Sequence, residues 1–367
     1  MRPLDGLAVL DLTRLLPGAA ATMMLANFGA EVTKIEEPLA GDYGRHMPPL
    51  VDGVGAVFRA VNRGKKSVAL DLKSPAGVAA FRELLSTADV LIEGNRPGVM
   101  KRLGLDYDAL RADYPRLIYV SLTGYGQQGP YAGLAGHDIN YLALGGLLDL
   151  TGAAGGPPAI PGAQIADLAG GSMQAVIGVL LAVAAREKTG RGQFVDAGMI
   201  DGVTWLLALP LAIQAATGNP ARRGETTLSG RYACYHVYRA GDGRWLAVGA
   251  LEPKFWRTVC ERLGCPQFAA EQFAEGPRQA DIVEAVSRIF ETRPAREWMD
   301  VFAGADACVT PVQNLEEVAA DTHLRARETI LDIEGRPAVG VIPKLSETPG
   351  RIGGAPPRLG GTERLVD

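Results

Sequence analysis

Apolar and polar positions in the first third of the chain follow two alternating periods. Residues 7–12, 31–35, 67–72, 90–93 and 117–122 are short apolar runs of strand length. Between them, 19–28 carries apolar residues at helical spacing and stops at Gly29. Residues 75–86 do the same with proline in the first turn, where its missing N–H is tolerated, and 108–113 is a shorter helical stretch. Strand, helix and strand repeated in this way predict a parallel sheet with covering helices, an α/β fold. Ligands of such sheets bind beyond the carboxyl ends of the strands.

The pattern then changes. Residues 152–162 have no periodicity and read as a Gly/Pro/Ala loop; 167–188 reads as one long helix ended by Gly190. The apolar runs 173–185 and 203–216, the latter broken by Pro210, are shorter than the ~20 residues a bilayer span requires and read as buried core helices. A Gly/Arg/Thr-rich linker, 218–230, leads to a predicted β-hairpin of 232–237 and 245–249 around Gly241-Asp242-Gly243. Helical segments 254–263, 279–291 and 296–304 complete a smaller lobe. The tail 337–359, rich in Gly and Pro, is expected to wrap the surface. The expected division is a large domain over 1–217, a small domain over 218–325, and a segment 326–367 returning to the large domain.

Composition narrows the function. A chain of 367 residues, 47% apolar, has ample material for a core and suggests two lobes. The net charge of −4, with Lys and Arg dispersed, offers no basic field for nucleic acid or a membrane surface. Cys234, Cys260, Cys265 and Cys308 show no CxxC spacing and read as free thiols of a reducing compartment. Asp5, Asp11 and Arg14 interrupt any signal-peptide core, and residues 363–367 carry no peroxisomal or lipidation signal. The expectation is a soluble, cytoplasmic protein.

The candidate chemistry begins at Gly136-His137-Asp138, followed thirty residues after His137 by Asp167 at the start of an apolar helix. An imidazole and a carboxylate are two proton carriers of different type. His137 lies between a Gly-rich turn and the apolar segment 139–148, placed to line a cleft; its ordinary alternative is a satisfied loop histidine. Asp167 is either an N-cap or a carboxylate kept ionised by the positive end of the helix, whose free N–H groups would receive a developing oxyanion. Gly170 and Gly171 would let a ligand approach the backbone. Gly124–Gly129 matches GxGxxG, but Pro130 follows and no helix opens there, so it reads as a tight turn rather than a nicotinamide site. His137 and Asp138 lack a third ligand at metal spacing, so no metal site is expected. Two basic loops, Asn62-Arg63-Gly64-Lys65-Lys66 and Glu93-Gly94-Asn95-Arg96-Pro97-Gly98 with Lys101 and Arg102 beyond, favour a polyphosphate ligand beside neighbouring strands.

These residues carry a resemblance. Pro3-Leu4-Asp5-Gly6-Leu7, Phe28-Gly29-Ala30-Glu31-Val32, Asn62–Ser67, Leu70-Asp71-Leu72-Lys73, Arg102-Leu103-Gly104-Leu105 and Gly136-His137-Asp138 resemble the class III CoA-transferase (CaiB/BaiF) family, over nearly the whole chain. The resemblance implies a nucleotide-binding-type large domain with a parallel sheet, a smaller α+β domain, and two subunits interlocked as a homodimer. It implies an acyl-CoA thioester as substrate and no cofactor beyond the coenzyme A that the substrate brings. With the basic loops, it assigns CoA contacts to Lys66, Leu70, Lys73, Asn95, Arg102, Gly136, Asp138 and Tyr141.

Within the family, residues 136–144 are similar to the α-methylacyl-CoA racemase branch, whose catalytic His falls at His137. Leu251-Glu252-Pro253-Lys254-Phe255 is similar to the segment whose Glu pairs with that His, which makes Glu252 the third catalytic candidate. The Gln of some transferases has its nearest counterpart at Leu16, which has no amide. The Asp at Asp167 is shared by both branches, as a nucleophile in transferases and a proton carrier in racemases. The implied activity is interconversion of (R)- and (S)-2-methylacyl-CoA by two-base proton transfer through an enolate. The alternatives are CoA transfer with Asp167 as nucleophile, and non-catalytic acyl-CoA binding. Two positions depart from the racemase pattern: Glu37 stands where several have Arg, and Ala163 where some have Asn. The phosphate grip would then fall to Arg45, Lys66 or Lys73. Met199 is a candidate for lining the acyl chain, with core packing as its ordinary fate.

Overall fold

The computed structural model describes residues 1–362; the terminal stretch 363–367, read above for targeting signals, lies outside the described residues. Contacts divide the chain into two units. The first holds 1–147, 161–207 and the chain from 323 onward; the second holds 148–160 and 208–322. Residues 148–160 and 208–217, expected in the large domain, group instead with the second unit.

In the first unit the five apolar runs become β1 (Ala8–Leu12), β2 (Glu31–Glu36), β3 (Lys66–Ala69), β4 (Val90–Glu93) and β5 (Ile118–Thr123), and a sixth strand that the sequence reading did not name, β6 (Phe194–Gly198), joins them. They form one six-stranded sheet in the order β3-β2-β1-β4-β5-β6, every pair parallel. β4 and β5 are buried at every position, as central strands covered on both faces must be. Helix α1 (Pro17–Asn27) follows β1, and α2 (Pro75–Leu85) follows β3, opened by Pro75 and by Ser74, whose hydroxyl accepts the Gly77 N–H at 3.0 Å. Phe81 and Leu85 of α2 pack with Leu10, Ile35, Leu91 and Tyr119 of the sheet. Strand order reverses at β1, so the crevice at the carboxyl ends of β1 and β4 is where this topology places a ligand.

A buried ionic cluster fixes the loop at that crevice. Lys65 Nζ lies 3.0 Å from Asp11 Oδ2, and Lys34 Nζ lies 3.0 Å from Asp42 Oδ2 and donates to the Thr13 carbonyl at 2.8 Å. All four charged side chains are almost wholly removed from solvent. Asp42 also accepts the N–H of Leu15, which adopts a φ of +61°, strained for a branched side chain. Burial alone would raise the Asp11 carboxyl. Lys34 and Lys65, with the Thr13 and Thr22 hydroxyls, outweigh it and hold the group well below the usual carboxylate range. Burial conversely depresses Lys65 to about 8 against the pull of Asp11.

The long helix predicted over 167–188 is two segments. Ala166–Met173 is π-helical and continues into α4 (Gln174–Thr189), with α3 (Asp138–Leu144) preceding both and α5 (Met199–Trp205) following. Together 166–189 make 24 residues, long and apolar enough to cross a bilayer, which corrects the shorter run expected. This helix packs against β5, β6 and α1. The glycines at its start admit a helix rather than a ligand. A Cβ on Gly170 would sit 2.6 Å from the Met199 carbonyl oxygen, and one on Gly171 2.8 Å from Met199 Cγ. The apolar segment 199–216 breaks after α5, and α6 (Ala208–Thr217) belongs to the second unit. Pro210 explains the break, because it has no N–H to offer the Leu206 carbonyl.

The second unit is built on antiparallel strands β7 (Tyr235–Arg239), β8 (Trp245–Gly249) and β9 (Val309–Pro311), in the order β9-β8-β7. Helices α7 (Pro253–Leu263), α8 (Pro277–Phe290) and α9 (Ala295–Phe302) bury Trp256, Phe290 and Trp298 with Tyr238 and Leu246. The indole N–H groups find partners, Trp256 on the Phe268 carbonyl at 3.0 Å and Trp298 on the Phe290 carbonyl at 2.8 Å. Cys234, Cys260 and Cys265 are buried free thiols in this core, and Cys308 is exposed.

The tail returns to the first unit along its sheet edge. Arg351 N–H donates to the Asn27 carbonyl at 2.8 Å, and Gly64 N–H to that of Gly354 at 3.1 Å. Thr362 N–H then reaches the Ser67 carbonyl at 3.1 Å, beside edge strand β3.

Candidate active site

Two clefts open at the carboxyl ends of β1 and β4, and they share Leu12, Thr13, Arg14, Asn95 and Val99 as a common wall. The first brings together Leu70, Lys73, Asn95 and Arg102, four of the residues assigned to CoA. The second brings Asn95 together with Gly136, His137 and Tyr141. Lys66 and Asp138 line neither cleft. Lys66 is exposed at the start of β3, 3.2 Å from Glu31 Oε2. Arg45 is not free to grip a phosphate. It is buried, forms a two-pronged pair with Glu36 at 2.6 and 2.7 Å, and stacks on Phe58. Glu37 lines the first cleft and accepts the N–H groups of Leu39 and Ala40 at 3.1 and 2.8 Å, bonds that hold its carboxyl below the usual range.

Arg14 was missed by sequence reasoning as a site residue. It lies just past the end of β1, lines both clefts, and donates from Nη1 to the Tyr43 hydroxyl at 3.0 Å. Its signal was available: a cation directly after the first strand of a βαβ series stands at the ligand end of the sheet.

His137 is the residue before α3, and its N–H donates to Asn140 Oδ1 at 3.1 Å, while its side chain is exposed in the second cleft. Tyr141, one turn on, is buried edge-on against Tyr125 and donates its hydroxyl to the Gly136 carbonyl at 2.6 Å. Burial and the nearby Asp167 charge push that phenol up to about 12, so it acts as a neutral brace. Met199 is nearly buried against Gly171, with an edge in the same cleft.

Asp167 is the second residue of the π-helix, not its cap. Short π segments inside α-helices occur often at functional sites. The Asp167 N–H is already committed to Asp138 Oδ1 at 2.9 Å, and the Leu168 N–H to the Gln164 carbonyl at 3.0 Å. The expectation that N–H groups at this helix start would receive an oxyanion therefore fails for these two. The carboxyl is not kept fully ionised by the helix either. Burial raises it, the Asp138 charge raises it further and His137 opposes both, leaving it pushed up to about 6. A group poised there both takes and returns a proton near neutrality. Asp167 lines neither cleft; its neighbours Leu168 and Met173 line an apolar groove with Met23 and Met24. Glu252 is exposed in the second unit, where its carbonyl accepts the Phe255 and Trp256 N–H groups at 3.0 and 3.1 Å as α7 begins.

Residues 4–363 match the family model described as CoA-transferase family III. The chain belongs to this family. Among curated relatives, α-methylacyl-CoA racemase of Homo sapiens is 37% identical over 351 residues, 94% of this chain and 87% of that one. Acetyl-CoA:oxalate CoA-transferase of Acetobacter aceti is 36% identical over 363 residues, 96% of this chain and 92% of that one. A solved CaiB/BaiF family protein from Brucella suis is 30% identical, covers 98% of this chain and 97% of its own, and superposes with a TM-score of 0.86. As a family III member the chain is an enzyme with an α/β large parallel sheet. Racemases and transferases both stand among its relatives.

Proposed function

We propose that the protein is a racemase of 2-methylacyl-CoA thioesters, working by proton removal and return at the carbon next to the thioester carbonyl. The observation that carries this reading is the hydrogen bond from the Asp167 N–H to Asp138 Oδ1 at 2.9 Å, which ties the start of the π-helix to the residue directly after His137. The thioester carbonyl delocalises the charge left by proton removal as an enolate. His137 removes the proton from one face while protonated Asp167 supplies one to the other; for the opposite enantiomer the roles reverse. A carboxyl near 6 suits this alternation better than one fixed in either state. Lys73, Arg102 and Arg14 hold the anionic CoA moiety, and the methionine-bearing groove beside Leu168 accepts a varied acyl chain. No cofactor beyond the coenzyme A of the substrate takes part.

The second reading, CoA transfer with Asp167 as nucleophile, draws support from the Acetobacter relative, almost as similar as the human racemase. One experiment separates the two. A single 2-methylacyl-CoA enantiomer is incubated in heavy water with no carboxylic acid present. The racemase incorporates deuterium at the α-carbon and yields both enantiomers. No exchange across several acyl chains would remove this reading, and CoA movement to an acid added afterwards would establish the other.

We further propose an interlocked homodimer. Met173, Ile177, Leu180 and Leu181 expose 44, 47, 43 and 65% of their surface along one helix face, an apolar stripe that a partner chain would cover. Sedimentation at micromolar concentration should give twice the chain mass, and a monomer there would refute the dimer.

A further inference from the structure

Asp138 opens α3 directly after His137, and Asp167 sits one residue inside the π-helix. One hydrogen bond joins these two starts, from the Asp167 N–H to Asp138 Oδ1 at 2.9 Å. The first N–H groups of a helix have no partner within it, and a carboxylate is a strong acceptor for one of them. Here the acceptor comes from a different helix, 29 residues earlier in the chain. Asp138 lines neither cleft, and its Oδ1 is engaged in this contact.

We propose that Asp138 is a positioning residue for the reaction: it pins the backbone of Asp167 to the turn that carries His137, so that the fold itself sets the spacing of the two proton carriers. The inference rests on the reading of His137 and Asp167 as the reacting pair. The carboxylate also acts through its charge. The groups bearing on the Asp167 carboxyl are Asp138 and His137. Tyr141 of α3 feels the Asp167 charge and stays neutral. From the other elements packed on the π-helix, α1 has no titratable side chain, and Asp201 of α5 faces Asp196 of β6. Tyr119 of β5 donates its hydroxyl to the Leu105 carbonyl, and the charges of α4 begin only at Arg186, in its last turn.

Two variants separate bond from charge. Asp138→Asn keeps an acceptor oxygen and removes the charge, whereas Asp138→Ala removes both. Racemisation of a 2-methylacyl-CoA ester is followed against pH for wild type and both variants. In Asp138→Asn the limb of the pH profile governed by Asp167 moves to lower pH. In Asp138→Ala, kcat falls by on the order of ten- to a hundredfold with KM little changed, the mark of a displaced reacting group rather than a lost ligand contact. A raised KM with unchanged kcat in Asp138→Ala would make Asp138 a CoA ligand and overturn the proposal. So would an unmoved limb in Asp138→Asn, which stands as a test even if the alanine variant does not fold. Wild type inert in both α-proton exchange and CoA transfer would overturn the reading of the site and this inference with it. An active wild type with unmoved variants overturns the inference alone.

Discussion

On the proposed mechanism, Asp167→Asn is expected to abolish racemisation and to make the protein more stable at neutral pH. The expected activity loss, on the order of a hundred- to ten-thousandfold, follows from removing one of the two groups proposed to exchange a proton with the substrate carbon. The stability gain follows from linkage. The folded-state carboxyl is raised to about 6 from an ordinary value of 3.8, so its contribution is fully present below the unfolded value and is lost as pH rises through 6. Asparagine carries no charge to desolvate, so the variant gains on wild type between pH 4 and 7 and matches it in acid. His137→Ala loses racemisation to a similar extent. Each single variant keeps α-proton exchange only on the face served by the surviving group. Chiral analysis, deuterium incorporation and thermal melts at pH 4 and 7.5 measure all of this. Wild-type racemisation in either variant removes that residue from the chemistry, and equal melting points at pH 7.5 would refute the raised carboxyl.

Asp11→Asn should cost about 3–5 kcal/mol of folding stability, the range for breaking a buried ion pair from one side. Lys65 and Lys34 stay buried, 3.0 and 3.9 Å from an oxygen that no longer bears charge. The wild-type contribution of Asp11 is present above the unfolded carboxylate value of 3.8 and is lost as pH falls through its depressed folded value. Lys65 runs the other way for a cation: its folded value lies near 8 against an ordinary 10.5, so raising the pH from 8 to 10.5 relieves a cost. Urea unfolding of both proteins at pH 7 checks the difference; a loss under about 1 kcal/mol, the scale of an exposed pair, would show that the cluster is solvated.

The sheet was legible because apolar runs with turn residues between them have few other solutions. The run 90–93 became β4 without change, and 31–35 grew by one residue. The hairpin around Gly241–Gly243 was legible with one strand displaced: β8 kept its expected ends, while β7 runs Tyr235–Arg239 rather than 232–237. What the chain hid was contact between distant residues. Nothing in the spacing of Gly170 and Gly171 distinguishes a glycine that admits Met199 from one that admits a ligand. The π-helical start was invisible because an extra residue per turn leaves the apolar composition unaltered. Arg45 read as a phosphate ligand because its partner Glu36 lies nine positions away at the end of a strand, and only the fold turns them toward each other. Of the candidate site, residue type and resemblance singled out His137 and Asp167, but the hydrogen bond that ties Asp167 to Asp138, beside His137, was not legible.

The contact between the tail and β3 has a consequence for the order in which the molecule can be completed. Ser67 is joined to Thr362 by hydrogen bonds across 295 positions of chain. A ribosome delivers Ser67 early and Thr362 only after the whole second unit has been made. Until then one side of the parallel sheet remains an open row of N–H and C=O groups, the kind of surface that recruits a stray strand. The last described residues thus close the sheet's flank, and the nascent chain has to pass through a stage in which this long-range contact is missing.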